Sequence, residues 1–202
     1  MTGADVQANV GKFDSNVDVK MILSPAEASL FFKLMLPLQF FVNKKFGLLP
    51  QANSFEKYCK VSMQEKFEVR NALFENINLI DDFIDENPQN FPMKELAVVS
   101  RWKKFIKGDF FVERYLKNYA VFISDDNGVY AVWGLTESLT EYFPTFALPV
   151  RLGAVVLLPF QDKIVTDGFF MPYRVIFGGG IKQELKEIYA EAKRKNKIIK
   201  SF

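Results

Sequence analysis

The 202-residue chain contains no histidine. Without imidazole there is no Ser-His-Asp or Cys-His activation of a nucleophile, no His general acid or base, and no His-ligated metal. A single cysteine, Cys59, excludes an internal disulfide and a thiolate metal cluster. A lone thiol suits a reducing compartment and, with no base to activate it, reads as an ordinary side chain. Charge of one sign is also missing. The 26 basic and 24 acidic residues leave a net charge of +2, too near neutral to imply a nucleic-acid partner. The longest apolar run, Leu30 to Val42, is broken by Lys33, Pro37 and Gln39, and it falls short of the roughly 20 residues of a spanning helix. Residues 1–20 are polar and acidic, with no apolar signal core. The expectation is therefore a cytoplasmic protein with no membrane partner, no metal and no cofactor. No complete catalytic constellation is visible either, so no catalytic residue is assigned.

What the chain has in excess is phenylalanine, 22 copies. The ring carries no polar handle, so these side chains are either buried or form a surface that something else covers. Hydrophobic residues at 49% and charged residues at 25% otherwise match a globular domain with its own core. Residues 1–20 lack periodicity and are expected to be a flexible tail, dispensable for folding. Met21, which opens the first apolar segment, could serve as an alternative start. Residues 21–202 are expected to form a single α+β domain.

Ser24-Pro25-Ala26-Glu27 is a helix start, with Ser at the N-cap and Pro at the first helical position. Leu30, Phe31, Leu34, Met35, Leu38 and Phe41 follow at helical spacing, with Pro37 expected to kink or divide that helix. Ser62 to Glu65 is a capping box and leads into Phe67, Val69, Leu73 and Phe74. Asn76 interrupts, and the apolar pattern resumes from Ile77 to Ile84. Another helix is expected from about Pro92 to Lys107, stopped by Gly108. The period then changes to two. Strands are expected over Phe110–Tyr115, Tyr119–Ser124, Val129–Trp133, Leu148–Leu158, Lys163–Thr166 and Tyr173–Phe177, with Asn127-Gly128 as a hairpin turn. A closing C-terminal helix runs from about Ile181 to Lys195. The fold class is thus α+β, an N-terminal helical subdomain packed on an antiparallel β-sheet. Short turns between strands argue against a doubly wound parallel sheet.

Four groups of residues could carry chemistry. Gly178, Gly179 and Gly180 open a helix and, with Lys182, could hold a phosphate or carboxylate. Neither the P-loop nor the dinucleotide spacing is present, and the same triplet reads as a tight strand-to-helix turn that only glycine can follow. Asp162, Asp167 and Glu184 could gather round a divalent ion or do acid–base work, although Asp167-Gly168 is also an ordinary turn dipeptide. Asp81, Asp82, Asp85 and Glu86 form an acidic helix face open to a basic partner. Basic residues cluster twice, at Arg101, Lys103, Lys104 and Lys107 around Trp102 and Phe105, and at Lys193, Arg194, Lys195, Lys197 and Lys200. Basic residues among aromatics can bind nucleic acid, while cations at helix C-termini are favoured by the macrodipole alone.

The pattern Leu158-Pro159-Phe160, Ile164, Asp167-Gly168, Tyr173, Phe177-Gly178-Gly179-Gly180-Ile181, Leu185 and Tyr189 resembles an uncharacterised bacterial protein family of unknown function. Leu23 to Ala28 and Phe40 to Asn43 are similar to the same group. The resemblance spans about Met21 to Phe202 and implies a single-domain unit. It carries over no activity and no site residues.

The favoured functional expectation is a non-enzymatic accessory protein that binds another protein through an aromatic-rich surface. Asp81, Asp82, Asp85, Glu86, Lys193, Arg194 and Lys195 are the candidate partner contacts. The alternative is a nucleotide or nucleic-acid binder using the Gly178–Gly180 turn, Lys182 and the basic C-terminal tail.

Overall fold

The computed structural model describes residues 21–202, so the tail expected over residues 1–20 lies outside the described residues. The class is α+β, as the periodicities imply. Five helices come first: α1 (Pro25–Phe46), α2 (Phe55–Lys60), α3 (Met63–Glu75), α4 (Leu79–Glu86) and α5 (Met93–Arg101). Strands β1 (Ile106–Tyr115), β2 (Ala120–Ser124) and β3 (Val129–Trp133) lead to the short α6 (Leu139–Tyr142). Strands β4 (Val150–Phe160), β5 (Lys163–Thr166) and β6 (Met171–Pro172) precede the C-terminal α7 (Gly179–Arg194).

Local chemistry sets the helix ends. Ser24 accepts a hydrogen bond from Glu27 N while Glu27 accepts from Ser24 N, and Ser62 and Glu65 repeat the arrangement on α3. Gly47 closes α1 in the left-handed conformation, φ 64°. Pro37 does not divide α1, which runs unbroken from Pro25 to Phe46. The burial of Phe31, Leu34, Leu38 and Val42 against the other helices offsets the one amide that proline withholds. Helix α5 stops at Arg101 and a 3-10 turn follows, so Gly108 lies inside β1 instead of ending a helix.

The six strands pair in the order β1-β2-β3-β5-β4-β6, and β1 also pairs with β4. That extra pairing closes five strands into a ring. Each of β1 and β4 is long enough to serve two neighbours, β1 through residues 110–115 to β2 and 106–112 to β4. All pairs are antiparallel except β3–β5, where Val132 and Trp133 face Ile164 and Val165 in parallel register. The chain can do this because α6 and β4 supply the long crossover that parallel neighbours require. The result is a small closed barrel of the OB type.

Alternation along the strands builds three apolar layers. Phe110, Val112, Phe122, Tyr130, Val132, Leu152, Val155, Leu157 and Ile164 fill the barrel with Met21, Leu139 and Phe143. Val156, Leu158, Phe160 and Val165 point outward under the helices α1 to α5. Val121, Ile123 and Val129 point outward under Leu185 and Tyr189 of α7. A strand buried on both faces reads as a continuous apolar run, which is why β4 has almost no polar residues. Met21 belongs to this core at 0% exposure, and its carbonyl accepts from Gly134 N.

The short β3–β5 seam is supplemented from both ends of the described chain. Ile22 bridges Gly134, and Ile199 bridges Tyr130 through Ile199 N to Val129 O and Ala131 N to Ile199 O, both 2.8 Å. The basic residues at 197–200 therefore belong to a docked segment, not a free tail.

Two ion pairs tie the helices to the barrel. Glu27 of α1 meets Lys163 of β5 at 2.6 Å near the surface, and the second is fully buried. Arg70 of α3 reaches Asp167, just past β5, through Nε to Oδ2 at 2.5 Å, with both side chains at 0% exposure. Its Nη2 donates to Ala154 O at 2.6 Å and its Nη1 to Asn71 Oδ1 at 3.1 Å. The guanidinium lies 5.6 Å from the ring centres of Phe67, Phe74 and Phe169. Burial pushes the Asp167 carboxyl above its ordinary range, with the Arg70 charge and hydrogen bonds acting against that shift. Ala154 sits in a β4 bulge at φ 53°, a conformation that costs a non-glycine residue about 1–2 kcal/mol. Arg70 holds its carbonyl and Asp109 Oδ1 accepts from its amide at 3.3 Å.

Arg70→Met leaves Asp167 buried and unpaired, and is expected to cost about 3–5 kcal/mol in urea unfolding. Arg70→Met with Asp167→Leu is expected to recover much of that loss. Asp109 gives a pH-dependent counterpart. Hydrogen bonding from Tyr173 OH (2.7 Å) holds its carboxyl below the ordinary range; burial opposes this, and the Ala154 amide and Arg151 assist it. A folded pKa below the unfolded value of about 3.9 stabilises above that value and stops doing so as pH falls through the folded one. The stability gap between wild type and Asp109→Asn is therefore expected to be full at neutral pH and to close as the pH drops below about 4.

Candidate functional site

An apolar groove opens where the start of α3, the α6 segment and the β5–β6 turn meet. Its inner cavity, about 200 Å³, is lined by Phe32, Leu135, Leu139, Phe170 and the polar groups of Thr136, Glu137 and Thr166. An outer cavity of about 570 Å³ adds Gln64, Phe67, Phe169 and Met171. Met63, Tyr142, Gly168 and Phe170 line both.

Each wall has a local cause. The Ser62–Glu65 capping box fixes the first turn of α3 and so places Met63 and Phe67. Tyr115 OH donates to Phe143 O at 2.6 Å and lies 3.1 Å from Leu139 O, holding α6 over the barrel mouth. Asp167, fixed by Arg70, is followed by Gly168 at φ 87°, a backbone conformation open to glycine and strained for other residues. That turn sends Phe169 inward against Phe67, at 5.9 Å, and Phe170 onto Tyr142 and Phe143 at 5.9 and 5.8 Å.

The ionisable groups on these walls are few. Asp167 is committed to Arg70. Tyr142 donates to Glu137, and that hydrogen bond first, with burial, pushes the phenol up to about 12. It therefore stays protonated at neutral pH. Glu137 remains as the one carboxylate free of a cationic partner among the lining residues. Such walls suit the binding of an apolar group and offer no nucleophile–base pair. Around the mouth, Met63, Tyr142 and Met171 are 50%, 52% and 53% exposed, and Phe146, just after α6, is 89% exposed.

Of the residues singled out from sequence, Asp167 with its Gly168 lies on these walls; the others lie elsewhere, and the link between candidate groups is Lys103 with Asp81. Gly178 is extended at φ −71°, and Gly179 and Gly180 form the first turn of α7. None of the three has a positive φ, and a Cβ at any of them would meet nothing within 4 Å. The reading of a turn that only glycine can follow is thus overturned. Lys182 is exposed on the same turn, its amide donating to Gly178 O, with no cradle built around it.

In the acidic face, Lys103 bonds Asp81 at 2.6 and 2.8 Å, and Lys45 bonds Asp82 and lies 4.0 Å from Glu86. Asp85 is exposed. Lys193, Arg194 and Lys195 end α7, with Lys195 paired to Glu191 at 2.5 Å. Arg101 donates to Gln161 O at 2.8 Å, and Trp102 is fully buried. Asp162 pairs with Lys163 at the surface, Asp167 is buried, and Glu184 is exposed on α7. Among the described residues no group of three His, Cys, Asp or Glu side chains is placed to hold a metal ion. No helix among them is long and apolar enough to cross a membrane.

The phenylalanines are mostly core: of those described, only Phe46 and Phe146 are exposed. Arg70 escaped the sequence reading; the Thr136–Tyr142 segment reads there as a short helix, which α6 bears out, but not as a groove wall. Arg70 had a signal, since it shares a three- and four-residue stripe with Phe67, Leu73 and Phe74. Comparisons of the chain with protein-family models, curated proteins and solved structures find no match. The resemblance of the C-terminal pattern therefore adds nothing to the site.

The freedom around the glycines has a measurable consequence. Glycine in a helix costs roughly 0.5–1 kcal/mol relative to alanine. Gly179→Ala with Gly180→Ala is expected to stabilise the protein by about 1 kcal/mol and raise the melting midpoint by a few degrees. A thermal melt showing destabilisation would mean the glycines serve the folded geometry after all.

Proposed function

We propose that this is a non-enzymatic interaction protein that holds an apolar segment of another protein in the groove between α3, α6 and the β5–β6 turn. The observation that carries the reading is the exposure of Met63, Tyr142 and Met171 around a cavity of about 570 Å³. Exposed apolar side chains ringing a concave site are the usual surroundings of a buried anchor residue at an interface. The aromatic excess supports it only indirectly, by building the walls.

The barrel type gives the alternative, an oligonucleotide binder, one observation in its favour, because such barrels commonly bind across the β2–β3 face. In this chain that face lies under Leu185 and Tyr189 of α7. Arg114 beside it bonds Glu113 and stacks 4.2 Å from the Tyr189 ring centre, and Arg151 bonds Asp109 and Asp125. Cations already paired with carboxylates are weak phosphate ligands, and a fold type does not by itself confer its common function.

Met63→Gln with Met171→Gln keeps the surface soluble and removes apolar rim. The double variant is expected to lose the partner that wild type captures from native lysate, while its melting midpoint moves by no more than a few degrees. Saturable thermal stabilisation by nucleotides or short oligonucleotides that disappears in Lys182→Ala would instead overturn the groove reading.

A further inference from the structure

The charge on the groove walls is one-sided, and this narrows what the groove can take. Among the described residues no lysine or arginine lines either cavity. Arg70, which holds Asp167 on the groove wall, is fully buried and spent on Asp167 and Ala154 O. Glu137 lines the inner cavity, and among the described residues its carboxylate bonds only the Tyr142 hydroxyl. Glu141, four residues on, is exposed on α6. The chain as a whole carries +2, so this acidity is a local property of the groove and not a general field.

We infer that the groove takes a partner segment in which a large apolar side chain stands next to a lysine or arginine. This rests on the proposed groove reading and adds the partner's chemistry to it. An inner cavity of about 200 Å³, walled by Phe32, Leu135, Leu139 and Phe170, accommodates one large aliphatic or aromatic side chain. Covering the mouth strips water from Glu137. A carboxylate losing its solvent beside an apolar wall needs a cation in compensation, and a partner acid brought to the same place adds repulsion. The walls therefore select for an apolar anchor and against an acidic neighbour, through one attractive and one repulsive element. Tyr142 orients the Glu137 carboxylate by donating to it and leaves its remaining lone pairs for the incoming cation.

The test uses the full chain and three fluorescently labelled 14-residue peptides at near-physiological salt. One is an amphipathic helix of leucine and lysine, one replaces lysine by glutamate, and one replaces leucine by serine. Anisotropy is expected to show the leucine–lysine peptide binding at least tenfold more tightly than either other. Glu137→Lys is expected to reverse the preference between lysine and glutamate peptides, and Met63→Gln with Met171→Gln to weaken both. Equal binding of the lysine and glutamate peptides, or a preference unmoved by Glu137→Lys, would overturn the inference, as would equal binding of the serine–lysine peptide. Residues 1–20 join the described chain at Met21, which is bonded to Gly134 on the groove wall. If deleting residues 2–18 raises the leucine–lysine affinity tenfold or more, the occupant is this chain's own N-terminal segment and the partner assignment falls. If no peptide binds but lysate capture still depends on Met63 and Met171, the charge assignment fails and the groove reading stands. Loss of that dependence as well removes both.

Discussion

A buried arginine with its full charge is the constraint from which the rest of this structure follows. Arg70 arrives from α3 into a space with no water, so every donor on it must be met by protein. Asp167, Ala154 O and Asn71 give each of its three nitrogens a partner. Those three partners belong to the exit of β5, the bulge of β4 and α3 itself. One side chain thus joins three segments, and with the Glu27–Lys163 pair and the shared apolar layer it holds the helical half in register on the barrel. A pair of this kind adds little net stability compared with apolar side chains of similar shape, and its value lies in excluding other arrangements. Its position also shapes the groove, since the carboxylate it anchors begins the turn from which Gly168, Phe169 and Phe170 project.

Around the barrel, each exterior face has a different cover. The β4–β5 side carries five helices on a large apolar layer. The β2–β3 side carries α7 alone, through a small cluster centred on Leu185 and Tyr189. Between the two covers the chain runs from Tyr173 to Gly178 as an exposed extended arm, with Ile176 at 99% exposure. Tyr173 N bonds Arg151 O, and beyond that point the arm leaves the β4 edge.

Much of the fold was legible in the sequence because its signals are local. The capping boxes at Ser24 and Ser62, the Gly47 stop and the β2–β3 hairpin each depend on residues a few positions apart, although in the hairpin turn Asn127 takes a positive φ and Gly128 does not. The barrel was not legible, because β1 and β4 are each shared between two neighbours and the parallel β3–β5 contact joins residues on either side of a long crossover. The alternation of Tyr173 to Phe177 read as a strand, yet it lacks a neighbouring strand with which to pair. Phenylalanine content could not separate wall from surface, since a barrel apolar inside and out needs as many rings as a docking face does. For the site, the chain showed Asp167-Gly168 as a turn, which it is. It hid the reason that turn is placed, because the partner of Asp167 lies 97 residues earlier on a helix.

The seam of the barrel has a bearing on how the molecule comes together. Ile22 and Ile199 lie against the same strand, at Gly134 and Tyr130, so β3 is the meeting place of the first and last segments of the described chain. Contacts between segments that far apart require the largest loss of chain freedom before they return any energy. The helices, built from contacts within a few turns, carry no such entropic toll. Chain entropy thus gives the two halves unequal tasks: the helical half draws on nearby contacts, whereas the β1–β4 pairing that closes the ring and the Ile22 and Ile199 bridges all join distant segments.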